Sequence, residues 1–142
     1  MNRMTRDQAH AQLAGDVHAD LAATSAMLEL LERQFDQALR HSSAELAAVA
    51  EEFTPALEAM EARRVRRVSL IRALHGPEAT MASLIGNLPQ PARAELAAAW
   101  AELELRVRAC KEATVRNSAL LADQFTVMQR VLYGEDQVYA PR

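Results

Sequence analysis

Cysteine occurs once in these 142 residues, at Cys110, so no internal disulfide is available. Glycine appears four times and aromatic residues make up 4% of the chain. A sheet protein draws on turn glycines and on β-branched and aromatic residues in alternation, and no segment here alternates in that way. No run of about 18 apolar residues is present, which excludes a transmembrane helix. The first residues carry Arg3, Arg6 and Asp7 without an apolar stretch behind them, unlike a secretory signal. The formal net charge of -3 lacks the basic excess of a nucleic-acid binder. A soluble cytosolic protein is expected. Glycine-rich phosphate loops and zinc spacings of Cys and His are missing too, and none of Ser42, Ser43, Ser69, Ser83 or Ser118 sits in a nucleophile elbow. The chain therefore reads as a non-enzyme with no cofactor.

What the chain has in quantity is Ala, Leu, Glu and Arg, with apolar residues at 50%. Such a mix with a 3.5-residue period points to long helices. One domain is the expectation at this length, with enough chain to bury a core. The clearest stretch is Ala92 to Leu132. Leu96, Trp100, Leu103, Val107, Cys110, Thr114, Asn117, Leu121, Gln124, Met128 and Val131 follow steps of four and three, a heptad seam. Towards its end the helix is apolar on more than one face, because Leu120, Leu121, Phe125, Val127, Met128, Val131 and Leu132 crowd into four turns. One internal seam cannot use them all, and the excess reads as a surface for another chain.

Upstream, Thr5 and Gln8 have capping-box spacing. The stripe Leu13, Val17, Leu21, Thr24, Leu28, Leu31, Phe35 and Ala38 then predicts a rod to about Arg40. Ser42 and Glu45 offer a second capping box and start a helix that reaches His75, where Gly76-Pro77 stops it. Pro55 predicts either a kink or a restart with Thr54 as cap. Thr80–Ile85 suggests a short turn of helix packed through Met81, Leu84 and Ile85. Pro91 suits the start of the last helix and Gly134 its end. The fold class is all-α: an elongated antiparallel bundle of three long helices, with a short helical turn before the last. Residues 1–132 form the bundle and 133–142 a flexible C-terminal tail with two tyrosines.

Asp7 and His10 have the i,i+3 spacing of a di-metal bundle, with His18 further on. The matching Glu-x-x-His sets on other helices are missing, so no metal site is expected. Cys110 on the seam reads as a buried structural thiol. Arg63, Arg64, Arg66 and Arg67 form either a solvated helix face, paired weakly with Glu58 and Glu61, or an acid-binding patch. Asn117 and Gln124 either set helix register or serve a bound partner.

The stretch Asn117-Ser118-Ala119-Leu120-Leu121-Ala122-Asp123-Gln124 fits N-x-x-L-L-x-x-Q. An apolar run and the tail Leu132-Tyr133-Gly134-Glu135-Asp136-Gln137-Val138-Tyr139-Ala140-Pro141 follow it. In these features the chain resembles the flagellar export chaperone family FlgN. The resemblance implies a cytoplasmic helical chaperone for hook-filament junction proteins of the FlgK and FlgL type. It would bind the client's C-terminal region on its last helix and deliver it to the cytoplasmic domain of an FlhA-type export gate. It assigns client binding to Asn117, Leu120, Leu121 and Gln124, which match the motif, and the apolar excess adds Phe125, Val127, Met128, Val131 and Leu132. Gate docking falls to a tail tyrosine: Tyr133-Gly134 matches a local Y-G pair, whereas Tyr139 stands at the more family-like distance and is preferred. The chain departs from the family in lacking the tail's final glycine. The competing expectation is a structural coiled coil whose exposed surface makes only a homo-oligomer, and a homodimer of the free chaperone is a related one.

Overall fold

The computed structural model describes the backbone of residues 4–139 and the side chains of 4–133. It has four helices: α1 Arg6–Leu39, α2 Ser43–His75, α3 Met81–Gly86 and α4 Ala92–Tyr139. At 1.5 Å per residue, the 34 residues of α1 span about 51 Å and the 48 of α4 about 72 Å.

The local signals set most of the boundaries. The Thr5 hydroxyl accepts from the Gln8 amide at 3.1 Å, and the Thr5 amide donates to the Gln8 side chain at 2.8 Å, the expected capping box. The turn after α1 places His41 at φ 55, with the Ser42 amide donating to the Gln37 carbonyl at 3.0 Å. This is the six-to-one bond of a Schellman ending. It also explains why the second capping box fails to form. Ser42 is the N-cap of α2 but makes no side-chain cap bond, and its amide, which the box would give to Glu45, is already committed to Gln37. Gly76, at φ 98, ends α2 as expected, in a backbone region where a side chain is strained. Thr80 and Ser83 form a capping box on α3, whose Met81, Leu84 and Ile85 are buried.

The restart with Thr54 as cap and the stop at Gly134 are both absent. α2 runs unbroken through Pro55. The proline has no amide for the Glu51 carbonyl, but Glu51, Thr54 and Pro55 are all exposed, so that carbonyl is open to solvent and the break is not forced. α4 does not stop at Gly134 and continues to Tyr139. A glycine inside a helix costs about 1 kcal/mol relative to alanine, which long flanking helix absorbs. The next residue that cannot continue a helix is Pro141. The tail expected from residue 133 is therefore helical through Tyr139, and residues 140–142 lie outside the described residues.

The arrangement is centred on α1. Side-chain contacts join Asp16 to Arg66 and Arg33 to Glu52, so α2 runs antiparallel to α1. Contacts from Arg106 to Leu21, Asn117 to Leu31 and Gln124 to Ala38 make α4 parallel to α1. The up-down-up order follows from these pairings. Among the described residues, however, no Cα atoms of α2 and α4 lie within 8 Å of each other. Both helices pack on α1, and α3 joins them at one end. There Leu13 and Val17 of α1, Ile71 of α2, Leu84 and Ile85 of α3, and Leu96 and Leu103 of α4 form one buried cluster. Away from that end the helices form an open trough with α1 as its floor.

Candidate functional site

Each wall of the trough is attached to α1 by different chemistry. On the α2 side, Asp16 accepts two bonds of 2.7 Å from Arg66. Asp20, 1% exposed, accepts from both Arg63 and Arg67. The Arg66 hydrogen bond holds the Asp16 carboxyl below the usual carboxylate range against the opposing effect of its burial. The arginine cluster is thus neither a solvated face nor a free acid-binding patch. Three of its four members are paired with α1, and only Arg64 bonds within its own helix, to Glu61. Sequence spacing missed this because partners some 47 residues apart leave no periodic trace. The polar Asp16 and Asp20 inside an apolar stripe were the available signal.

On the α4 side, the Asn117 amide, 1% exposed, donates to the Leu31 carbonyl at 2.8 Å and the Gln34 side chain at 2.7 Å. Two turns on, Gln124 donates to the Ala38 carbonyl at 2.8 Å. Arg106 donates to the Leu21 carbonyl and the Ser25 hydroxyl, and the Arg116 guanidinium lies 4.0 Å from the centre of the Phe35 ring. Asn117 and Gln124 therefore lock α4 against α1 in a fixed register.

Gln124 marks the last of these ties. α1 ends at Leu39, and α4 projects beyond it. Phe125, Val127, Met128, Val131, Leu132 and Tyr133 are 54% to 66% exposed on this projection. Of the nine proposed client-binding residues, the structure brings these first five together on the projecting helix. Leu120 and Leu121 are half-buried at its base, and Asn117 and Gln124 are engaged with α1. Tyr133 is exposed; the Tyr139 side chain lies outside the described residues.

A second feature was not anticipated. The trough between α2 and α4 encloses a groove of about 1090 Å³. Its floor includes Thr24, Met27 and Leu31. Phe53, Leu57 and Met60 line it from α2, and Val107, Cys110 and Val115 from α4. Leu57 is 49% exposed and Val115 69%. Thr114, assigned to the internal seam by spacing, faces this groove and is exposed. The Arg67 guanidinium spans the trough to the Trp100 ring, 5.3 Å away, near the closed end. Phe53, Leu57 and Met60 of α2 recur at helical spacing like a core stripe, but α4, the helix that would cover them, is too far away.

The remaining candidates are the histidines and Cys110. His10 and His75 lie with parallel rings 6.4 Å apart, while His18 is exposed elsewhere. Burial, then the charges of Arg6 and His75, lower the His10 pKa. Among the described residues no group of three or more potential metal ligands occurs. The Cys110 thiol donates to the Thr24 carbonyl at 3.7 Å and its pKa is raised by burial, as befits a packing thiol. No helix of the described residues is long and apolar enough to cross a membrane.

A long helical chain with an amide-locked seam and a bare apolar helix end invites comparison with known families. The family model described as FlgN protein matches residues 4–133. The chain belongs to the FlgN family. Membership carries a general role as a flagellar export chaperone. Neither a curated protein nor a solved structure matches the chain. In this FlgN-family member the motif Asn117 to Gln124 is the segment that ties α4 to α1, immediately before the helix projects.

Proposed function

We propose that this chain is a cytosolic export chaperone for hook-filament junction proteins of the FlgK and FlgL type. It binds the client's C-terminal region on the projecting end of α4 and hands it to the cytoplasmic domain of an FlhA-type gate. The observation that carries this reading is the set of six apolar side chains between Phe125 and Tyr133, spread around the helix and each more than half exposed beyond the end of α1. Monomeric soluble proteins rarely leave such a patch without a use. An amphipathic client helix laid along it would bury leucine-sized groups worth about 1.5–3 kcal/mol each. Three or four contacts, less ordering costs, give an affinity of roughly micromolar to nanomolar, suited to holding and then releasing a client. Leu120 and Leu121 extend the surface at its base, and Asn117 and Gln124 position it. Gate docking belongs to Tyr139, with Tyr133 as the alternative.

The test is capture of a junction protein's C-terminal segment by the full chain. Phe125→Asp and Leu132→Asp should each abolish capture while the helical circular dichroism stays unchanged. Capture that survives in both variants removes the surface assignment. Separately, Tyr139→Ala should weaken binding to the gate domain and leave client capture intact. If Tyr133→Ala alone does so, the docking tyrosine is Tyr133.

A further inference from the structure

Beyond the ion pairs of Asp16 and Asp20, the joint between α1 and α2 ends in two histidines. His10 lies in the second turn of α1, and His75 is the last residue of α2. Their rings are parallel, with centres 6.4 Å apart. Each residue is half-buried, but its Nε2 atom is sealed from solvent and has no hydrogen-bond partner among the described residues. We propose that this pair is a proton-operated latch: neutral imidazoles hold the closed end of the trough together, and their protonation releases the end of α2 from the start of α1.

The chemistry of the ring sets the direction. A neutral imidazole has one proton, and Nδ1 can carry it while Nε2 stays bare. The cation has a proton on both nitrogens, so its Nε2–H would lie in a sealed place that offers no acceptor. Two such cations would also repel each other across the 6.4 Å between ring centres. The surrounding charges do little to offset this. Arg6 stands one turn before His10 on α1 and Arg72 one turn before His75 on α2, and both are cations. Asp7, the carboxylate that acts on His10, is itself exposed to water. α3 carries no titratable side chain, and Glu78 of the linker and Arg93 and Glu95 at the start of α4 do not act on His10. Burial first, then Arg6 and His75, hold the His10 pKa below its ordinary value, with Asp7 opposing.

The position of the pair suits a latch. Ala9 is the first buried residue of α1 and Ile71 the last of α2, so the turns that hold the histidines can part without opening either helix in its middle. Ile71, Arg72 and Met81 line the groove at this end, and release therefore loosens the groove where it is closed. The Asn117 and Gln124 ties of α4 lie at the other end of α1 and stay as they are. Because the folded pKa of His10 is lowered, this end keeps its full stability above the unfolded value of about 6.5 and loses it as pH falls from there through the folded value. The Asp16 pair responds only below about 3.9, so the two effects occupy separate windows. The latch is independent of the client reading, since neither histidine lies on the projecting end of α4.

Amide hydrogen exchange of the full chain at about pH 7.5 and about pH 5, on either side of the ordinary histidine value and corrected for intrinsic exchange rates, tests the latch. In the wild type, protection of residues 9–15 and 70–75 should fall several-fold at the lower pH, while that of residues 31–38, beside Asn117 and Gln124, should hold. His10→Gln and His75→Gln keep a polar side chain that cannot take up a proton, and each should remove most of the fall. His18→Gln and His41→Gln change exposed histidines and should leave the fall as it is in the wild type. An NMR titration of the wild-type protein supplies a reading that needs no variant: the His10 ring should titrate below the ordinary value of about 6.5. Equal protection at the two pH values in the wild type overturns the proposal. So does a fall that persists in His10→Gln, or a His10 ring that titrates at or above the ordinary value. Glutamine variants that lower protection equally at both pH values, with the fall intact, would reduce the pair to packing and overturn the latch as well.

Discussion

α1 is held from two sides by different means. Towards α2 it presents carboxylates, Asp16 and Asp20, to three arginines. Towards α4 it presents mainly backbone carbonyls, at Leu21, Leu31 and Ala38, to the side chains of Arg106, Asn117 and Gln124. The difference matters because the two kinds of bond respond to different insults. Buried ion pairs are sensitive to loss of one partner and to acid, since an abandoned charge in a desolvated place is costly. The amide bonds of Asn117 and Gln124 carry no charge, so acid leaves them alone and they fix register residue by residue; among the described residues the one α1 carboxylate in the α4 contacts is Glu32, in a largely exposed pair with Arg116. The α4 side carries the helix end that projects beyond α1, and it is attached by the register-setting chemistry.

The contrast gives a ranked set of tests. The largest effect is expected from Asp20→Ala, which leaves Arg63 and Arg67 without their common partner; chemical denaturation should show a loss of about 3–5 kcal/mol. A loss below that of an amide substitution would mean that the α2 side is not held by charge. Next is Asn117→Ala. It leaves the Leu31 carbonyl and the Gln34 side chain without a donor in a buried place, for about 1–3 kcal/mol, and the loss should be the same at neutral and mildly acidic pH.

Acid titration separates the two sides directly. The folded pKa of Asp16 is depressed, chiefly by its bond from Arg66. Its contribution to stability is therefore complete above the unfolded value of about 3.9 and lost as pH falls through the lower folded value. Denaturation midpoints followed over that window should fall less steeply in Asp16→Asn than in the parent. Equal slopes would remove Asp16 from the acid response. The smallest effect is expected on the projection: Met128→Ser, at a side chain 54% exposed, should change stability by no more than about 0.5 kcal/mol. A larger loss would mean that the end of α4 is already packed in the free protein.

Much of this was legible in the sequence. The Thr5 box, the Gly76-Pro77 stop, the short helix near Thr80 and the 3.5-residue stripes are local or periodic signals, and each produced the element expected of it. The excess of apolar residues after Leu120 was visible as well, because a helix has only so many faces to bury. Where reading failed, the deciding partner was distant. Ser42 had the right spacing for a box, but the turn before it had taken its amide. Gly134 looked like a stop, yet a single glycine is a cost rather than a barrier.

The sequence by itself determined that this chain makes long amphipathic helices, where all four helices begin, and that the last one carries more apolar surface than a single seam needs. These follow from propensity, capping and periodicity, which act within a few residues. Only the tertiary structure decided that α1 is the centre, that its buried aspartates take up the arginines of α2, and that α2 and α4 stand apart over an open groove. A stripe of apolar residues states that a helix has a face to bury; it does not state how far away the covering helix will lie. That distance is set by how both neighbours pack on α1, and it decides whether Phe53, Leu57 and Met60 belong to a core or to a docking surface.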